Sequence, residues 1–265
     1  HALGVHGGFD QRDVMEAARA LTGFVVRERL LQGRGSVAFE PDWHDDGAKT
    51  VLGSLIAAGG GEGDLDALID IVVTHPSTAR HLATRLVQWF VGDPAPSGLV
   101  DSAARRFVDT GGDIRATVRA ILHSEAVLTA PLRLKRPFRF VVSALRGLGA
   151  VTQVRPPLLT ALERMGQAPH AHPTPDGYPF EPHPWRGSLF WRFAFARQID
   201  QPGTQVPWAA LRASLGDDPG AWFAHLVGRR PTAAEGAPLS RALASELPRR
   251  ETVALILSSP AFQVY

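Results

Sequence analysis

Apolar residues recur every three to four positions along most of the chain, which is the pattern of amphipathic helices packed on a core. A first helix is predicted to follow the N-cap candidate Asp10, and Gly23 is predicted to end it. The same spacing predicts further helices over residues 99–108, 114–122, 138–148, 158–165, 188–199, 208–215, 221–227, 233–247 and 251–257. The aromatic run Phe190-Trp191, with Phe193 and Phe195, is predicted to lie in the core.

Two further apolar stretches, between Asp64 and residue 90, have polar residues beside them that mark helix ends. Asp64 is predicted to cap a helix that the pair His75-Pro76 ends, because proline removes a backbone donor. Ser77 or Thr78 is then predicted to open a longer helix that reaches residue 90, since hydroxyl side chains are good N-caps.

A different pattern appears near residues 24–52. Val25-Val26 and Val37-Ala38-Phe39 flank Gly33-Arg34-Gly35, which is typical of a small hairpin or extended arm. The fold class predicted from these patterns is mainly α. It is a single multi-helical domain over residues 1–265, with a small extended or β-hairpin arm near residues 24–52.

Two further segments stand out. Residues 156–187 are so rich in proline and histidine that, after a short helix, they predict a long irregular loop within the domain. Residues 117–128 resemble residues 252–263, with about half the positions identical, which indicates either a true repeat or two amphipathic helices of similar ending.

Composition limits the classes of function. The formal net charge of the 265 residues is +2 and cysteine is absent, which excludes disulfides, thiolate metal sites and cysteine nucleophiles. No stretch concentrates Lys and Arg, so no nucleic-acid partner is expected. No apolar run approaches the roughly 18 residues that span a bilayer, so no transmembrane segment is expected. The first residues also lack the basic and apolar regions of a signal peptide.

The densest group of reactive side chains is the stretch Trp43-His44-Asp45-Asp46-Gly47-Ala48-Lys49-Thr50. Lys49 is one of only two lysines among 28 lysines and arginines. An imidazole and carboxylates can move protons or bind a divalent metal, and a lysine can stabilise an oxyanion. His44, Asp45, Asp46 and Lys49 are therefore the predicted catalytic residues. The alternative is a structural turn in which the aspartates cap backbone groups and Lys49 pairs with one of them.

Two other groups are candidates for ligand binding. Arg80 and Arg85 lie in the helix that follows His75-Pro76 and could face an anionic ligand. His170 and His172 have the ligand type and spacing of a zinc or copper site, whereas the alternative is a solvated loop.

Six segments together resemble a bacterial family known as domain of unknown function 1800. They follow one another in the family's order: HALGVHGGFDQRDVMEAARALTGF, FEPDWHDDGAKTVLG, HPSTARHLATRLVQWFV, GGDIRATVRAILHSEAV, KRPFRFVVSALRGLGA and ILSSPAFQVY. The resemblance implies a mostly helical fold and an exported or periplasmic protein, but no activity. It also implies that this chain is the C-terminal portion of a longer member, with an acidic helix and a further helical region upstream.

The resemblance suggests a partner and weakens one site. Genes of the family often adjoin a gene for a sulfatase-like protein, which is therefore an expected partner together with the upstream region. After the family's Met-Gly-Gln, this chain continues into His170 and His172, and it has Tyr178 where tryptophan is usual. A metal site at these histidines would not extend to the family.

Three hypotheses follow. The first is an exported hydrolase that uses His44 with Asp45 or Asp46 as acid and base or as metal ligands, and Lys49 as anion stabiliser. The second is a non-catalytic interaction or scaffold domain that partners the sulfatase-like protein. The third is a metal-carrying module built on His170 and His172. No cofactor is predicted beyond a divalent metal.

Overall fold

The computed structural model describes residues 2–27, 35–174, 176–244 and 249–265. The chain is mainly α, with small two-stranded antiparallel sheets, which confirms the predicted fold class. Contacts within the chain divide it into two compact units, His1–Ala130 and Pro131–Tyr265. The single domain over residues 1–265 stays a prediction.

The first unit combines short strands with helices. Asp10 caps its first helix as predicted, accepting from the backbone N–H groups of Arg12 and Asp13 at 2.8 and 3.0 Å. The Asp13 carboxylate in turn accepts a hydrogen bond from the backbone N–H of Asp10, which completes a capping box. The elements are α1 (Gln11–Ala20), β1 (Phe24–Arg27), β2 (Ser36–Phe39), a 3-10 turn (Pro41–Trp43), β3 (Lys49–Val51), β4 (Ser54–Ile56), α2 (Gly63–Thr74), α3 (Pro76–Phe90), α4 (Ser97–Asp109), α5 (Ile114–Leu122) and α6 (Glu125–Leu128).

The predicted arm is made of two hairpins. Strands β1 and β2 pair antiparallel from Phe24 opposite Phe39 onwards, and residues 33 and 34 of the predicted turn lie outside the described residues. Strands β3 and β4 form a second hairpin, whose two turn residues, Leu52 and Gly53, both have positive φ. That geometry matches the right-handed twist of paired strands, and glycine adopts it without strain.

Two predicted helix caps are wrong. Asp64 lies inside the first turn of α2, whose N-cap is Glu62. The Asp64 side chain is buried and does not cap the helix. Helix α3 is capped by His75, whose Nδ1 accepts from the Ser77 N–H at 3.2 Å. The hydroxyl of Thr78 instead donates to the carbonyl of Val72 at 2.6 Å, so it ties α3 back to the end of α2.

The second unit packs its helices around a core that includes Phe140, Phe195 and Trp222. The predicted loop over residues 156–187 begins with a helix and ends in a 3-10 turn, and the described residues between them form neither helix nor strand. Its elements are α7 (Pro137–Gly147), β5 (Val151–Thr152), α8 (Pro156–Arg164), the 3-10 turn (His183–Ser188), α9 (Leu189–Arg197), β6 (Thr204–Gln205), α10 (Trp208–Leu215), α11 (Pro219–Val227), α12 (Ala233–Ala244), α13 (Arg249–Ser258) and α14 (Pro260–Gln263).

The side of helix α9 that faces the core carries an arginine, which the sequence pattern did not predict. Arg192 is fully buried, whereas Phe190 and Phe193 are exposed, so the prediction that the whole aromatic run is core is wrong for these two residues. The Arg192 guanidinium donates to Ser188 Oγ at 2.9 Å and to Gln263 Oε1 at 3.0 Å. These hydrogen bonds let the buried cation replace an aromatic ring on the inner face.

The two similar segments adopt the same local structure. In residues 117–128, Ser124 is the N-cap of the short helix α6 that follows α5, and in residues 252–263, Ser259 is the N-cap of α14, which follows α13. Ser124 and Ser259 each donate to the carbonyl three residues earlier, both at 2.7 Å. The sequence similarity is thus matched by a shared helix–serine–helix motif, one in each unit.

Candidate functional site

Two of the predicted catalytic groups lie in the interior of the first unit. The side chains of His44 and Lys49 are 1% and 0% exposed, and both face Asp64, which is 2% exposed. Lys49 Nζ donates to Asp64 Oδ2 at 2.5 Å and also to the backbone carbonyl of Asp45. His44 Nε2 lies 3.3 Å from the same Asp64 oxygen. The three side chains form a buried cluster centred on one carboxylate.

The imidazole of His44 is fixed from its other side as well. His44 Nδ1 lies 2.9 Å from the backbone carbonyl of Thr22, at the end of α1. A carbonyl oxygen only accepts, so Nδ1 carries a proton in this contact. Nε2 faces the Asp64 carboxylate oxygen, so both ring nitrogens of His44 contact protein groups. His44 therefore joins the loop after α1 to the start of α2.

Asp45 points away from the buried cluster and binds α1. Arg19 donates to both Asp45 carboxylate oxygens, at 2.7 and 3.0 Å, and the Gly47 N–H donates at 3.0 Å. These donors, the Arg19 guanidinium first, hold the pKa of Asp45 well below its usual range. Arg19 also pairs with Glu16 at 2.9 Å. The hydrogen bonds from Arg19 therefore hold the Asp45 carboxylate against α1.

Asp46 is the most exposed of the four predicted catalytic residues. Its side chain is 70% exposed, and its Oδ1 lies 3.9 Å from His44 Nε2. The backbone carbonyl of Asp46 accepts from the Gly59 N–H at 2.9 Å. The four predicted catalytic side chains thus do not meet in one solvent-accessible pocket. His44 and Lys49 face the interior, Asp45 faces α1 and Asp46 faces solvent.

Sequence reasoning missed the residue on which the cluster depends. The sequence pattern predicts Asp64 as a helix cap and not as the partner of Lys49. A β-carbon built on Gly60 would lie 2.0 Å from Asp64 Oδ1, so the backbone at this position needs glycine to pass the carboxylate. The available signal was Lys49 itself, since a lysine in a half-buried strand requires a carboxylate partner.

We expect Gly60→Ala to destabilise the first unit, because the new methyl group displaces the carboxylate that holds Lys49 and His44. Thermal unfolding should show a lower midpoint, by several degrees for a loss of about 1–2 kcal/mol. Gly63→Ala is the matched control, since a β-carbon there meets no atom within 4 Å. Equal midpoints for the two variants would contradict the close approach.

Asp45 predicts a dependence of stability on acid. Its folded pKa lies below the unfolded value near 3.8, so its contribution is complete above that value and is lost as the pH falls further. We expect Asp45→Asn to unfold at a lower temperature at pH 7 and to lose less stability than the wild type between pH 5 and pH 2. Calorimetry over this range measures both. Parallel pH profiles for the two proteins would show that Arg19 gives Asp45 no extra stability.

The predicted anion ligands are placed differently from each other. Arg80 Nη1 pairs with Asp101 Oδ1 at 2.5 Å, which connects α3 to α4. Arg85 lies near His81, whose pKa is lowered by burial and then by the Arg85 charge. Anion binding by Arg80 and Arg85 stays a prediction, and Arg80 would have to leave its carboxylate to take part.

The two histidines of the proline-rich segment have local contacts. His170 has a positive φ of 58°, and His172 Nδ1 lies 2.9 Å from the carbonyl of Thr174. The His172 ring packs edge-on against Tyr178, with centroids 4.7 Å apart. Among the residues that the structure describes, no three His, Asp or Glu side chains are grouped to hold a metal ion. Metal binding by His170 and His172 stays a prediction.

Comparison with known proteins agrees with the resemblance seen in the six segments. A family model described as "Protein of unknown function (DUF1800)" matches residues 1–264, so the chain belongs to this family. Neither the curated proteins nor the solved structures gave a match. No described helix is both long enough and apolar enough to cross a bilayer, as the sequence predicted.

Proposed function

We propose that this DUF1800 family member is a non-catalytic interaction domain of an exported assembly, in which the His44–Lys49 stretch serves structure. The observation that carries the proposal is the burial of His44, Lys49 and Asp64, whose side chains contact one another and the backbone. A general acid, base or oxyanion stabiliser must come within hydrogen-bond reach of its substrate. These side chains meet protein groups there instead.

The energetics argue in the same direction. Turning Lys49 towards a substrate would leave Asp64 buried without its cationic partner, which costs several kcal/mol. Arg19 holds Asp45 in a bidentate pair, so this carboxylate too would have to give up strong hydrogen bonds to act as a base. The stretch ties β3 to α1 and α2, and its polar residues stabilise that junction.

The partner we propose is the sulfatase-like protein that the family resemblance suggested. Val26 and Val37 are cross-strand partners in the first hairpin, and both side chains are mostly exposed. Trp43, which begins the polar stretch, is also mostly exposed. Exposed apolar side chains of this size favour a protein contact.

Co-expression with the sulfatase-like protein tests the proposal. We expect one complex in gel filtration, and we expect Val26→Ser with Val37→Ser to weaken it about tenfold by removing buried apolar area on binding. Val151→Ser is the matched control, because Val151 is an equally exposed strand valine of the second unit. Separate elution of the two wild-type proteins would contradict the partnership.

The hydrolase hypothesis is tested on the isolated chain with chromogenic carboxylic, phosphate and sulfate esters. If the turn is structural, no ester is turned over above the level of an unrelated protein. The proposal is overturned if an ester is hydrolysed and Asp46→Asn abolishes that turnover at an unchanged melting temperature. Asp46 is the informative position because its carboxylate is open to solvent.

A further inference from the structure

A concave surface between α4 and α5 of the first unit collects positive charge. It encloses about 440 Å³ and is lined by three arginines, a histidine, an aspartate and two alanines: Arg106, Arg115, Arg119, His123, Asp113, Ala116 and Ala120. Arg106 belongs to α4, and the other basic side chains belong to α5 or its C-cap. The concavity is separate from the His44–Lys49 stretch and from the exposed valines.

The spacing along α5 brings its basic side chains onto one face. Arg115, Arg119 and His123 follow one another at intervals of four residues, so they lie in a row on the helix surface. Eight residues of helix span about 12 Å. Between the arginines of α5 stand the small side chains of Ala116 and Ala120, which leave the concavity open.

The positive charge of this surface is not neutralised within the described part of the chain. None of the three arginines has a carboxylate of a described residue within 4 Å, whereas Arg80 on the neighbouring α3 pairs with Asp101 at 2.5 Å. Asp113, the one carboxylate of the lining, caps α5 by accepting from the Ala116 N–H at 3.0 Å. The guanidinium groups therefore keep their donors for a ligand.

We propose that this concavity binds an acidic polysaccharide, through sulfate or phosphate groups spaced along its chain. The guanidinium group binds these oxyanions with two parallel hydrogen bonds, which explains why arginines line the site. A row about 12 Å long has room for more than one oxyanion, so we infer a ligand that carries at least two. The lining contains no phenylalanine, tyrosine or tryptophan on which bases could stack, which disfavours single-stranded nucleic acid.

Binding of a fluorescent heparin hexasaccharide to the whole chain tests the proposal. We expect saturable binding that weakens at least tenfold in the triple variant Arg106→Gln, Arg115→Gln, Arg119→Gln. The slope of log affinity against log salt should fall by roughly two to three, because fewer counterions are released. The matched control is Arg146→Gln, Arg186→Gln, Arg197→Gln, which removes the same charge from exposed positions of the second unit and should keep affinity within twofold.

Several outcomes would overturn the proposal. They are no saturable binding, an equal loss in the control triple variant, or single-stranded DNA of matched charge binding as tightly as the hexasaccharide. A de-sulfated hexasaccharide that binds as well as the sulfated one would also overturn it. The site does not depend on the sulfatase-like partner, since the two valine substitutions leave these arginines intact and the arginine substitutions leave the hairpin intact.

Discussion

Replacing Lys49 by methionine is expected to lower the free energy of unfolding by about 3–5 kcal/mol, the range for removing one partner of a buried ion pair. The substitution keeps the length of the side chain but removes the donor that contacts Asp64 and the Asp45 carbonyl. Asp64 is then left as a buried carboxylate whose remaining side-chain partner among the described residues is His44. Urea unfolding at pH 7 measures the loss, and the melting temperature should fall by about 10 °C or more.

Two further variants separate charge from packing. Combining Lys49→Met with Asp64→Leu removes both partners, and we expect it to recover part of the loss because no unpaired charge stays buried. Lys49→Arg should also be less stable than the wild type, although it keeps the charge. The planar guanidinium is larger than the ammonium group, and the buried site leaves no room towards solvent for it. An unchanged urea midpoint for Lys49→Met would show that the buried pair is not structural, and a catalytic role for Lys49 would then regain support.

Local sequence signals predicted local structure well. The predicted Asp10 cap of α1 depends on residues within one turn of each other. The valine runs on either side of a glycine-containing turn were enough to predict the first hairpin. In each case the interacting residues lie close in sequence, so a short window contains the physical cause.

The candidate site depended on contacts that no short window contains. Lys49 and Asp64 are fifteen residues apart, and only the packing of β3 beside α2 brings them together. Arg106 and Arg119 lie on different helices, so the sequence shows no basic run although the folded surface is basic. Arg192 shows the same limit, because its acceptor Gln263 is seventy-one residues away. Burial of a charge is decided by distant partners.

The other lysine, Lys135, should make the protein more stable as the pH rises from about 8 towards 10. Its side chain is almost fully buried, and Nζ lies 3.7 Å from the centroid of the Phe262 ring. Burial, together with the charges of Arg139 and Arg192, lowers the pKa of Lys135 from 10.5 to about 8. In this pH range the unfolded chain binds a proton that the folded chain has lost, so the free energy of unfolding rises with pH.

Lys135→Met should remove this pH dependence and stabilise the protein at pH 7, where the wild type must bury the ammonium group. The shift corresponds to at most about 3 kcal/mol, and the lost contact with Phe262 reduces the gain.

The chain has only two lysines and two tyrosines, so few other groups titrate between pH 7 and 10. Burial lowers the pKa of Arg192 to about 10, which sets the upper limit of the useful range. Urea midpoints of both proteins, with Arg146→Met as the surface control, measure the difference. A wild-type profile that is flat up to pH 10 would mean that the buried ammonium keeps its proton, and it would contradict the lowered pKa of Lys135.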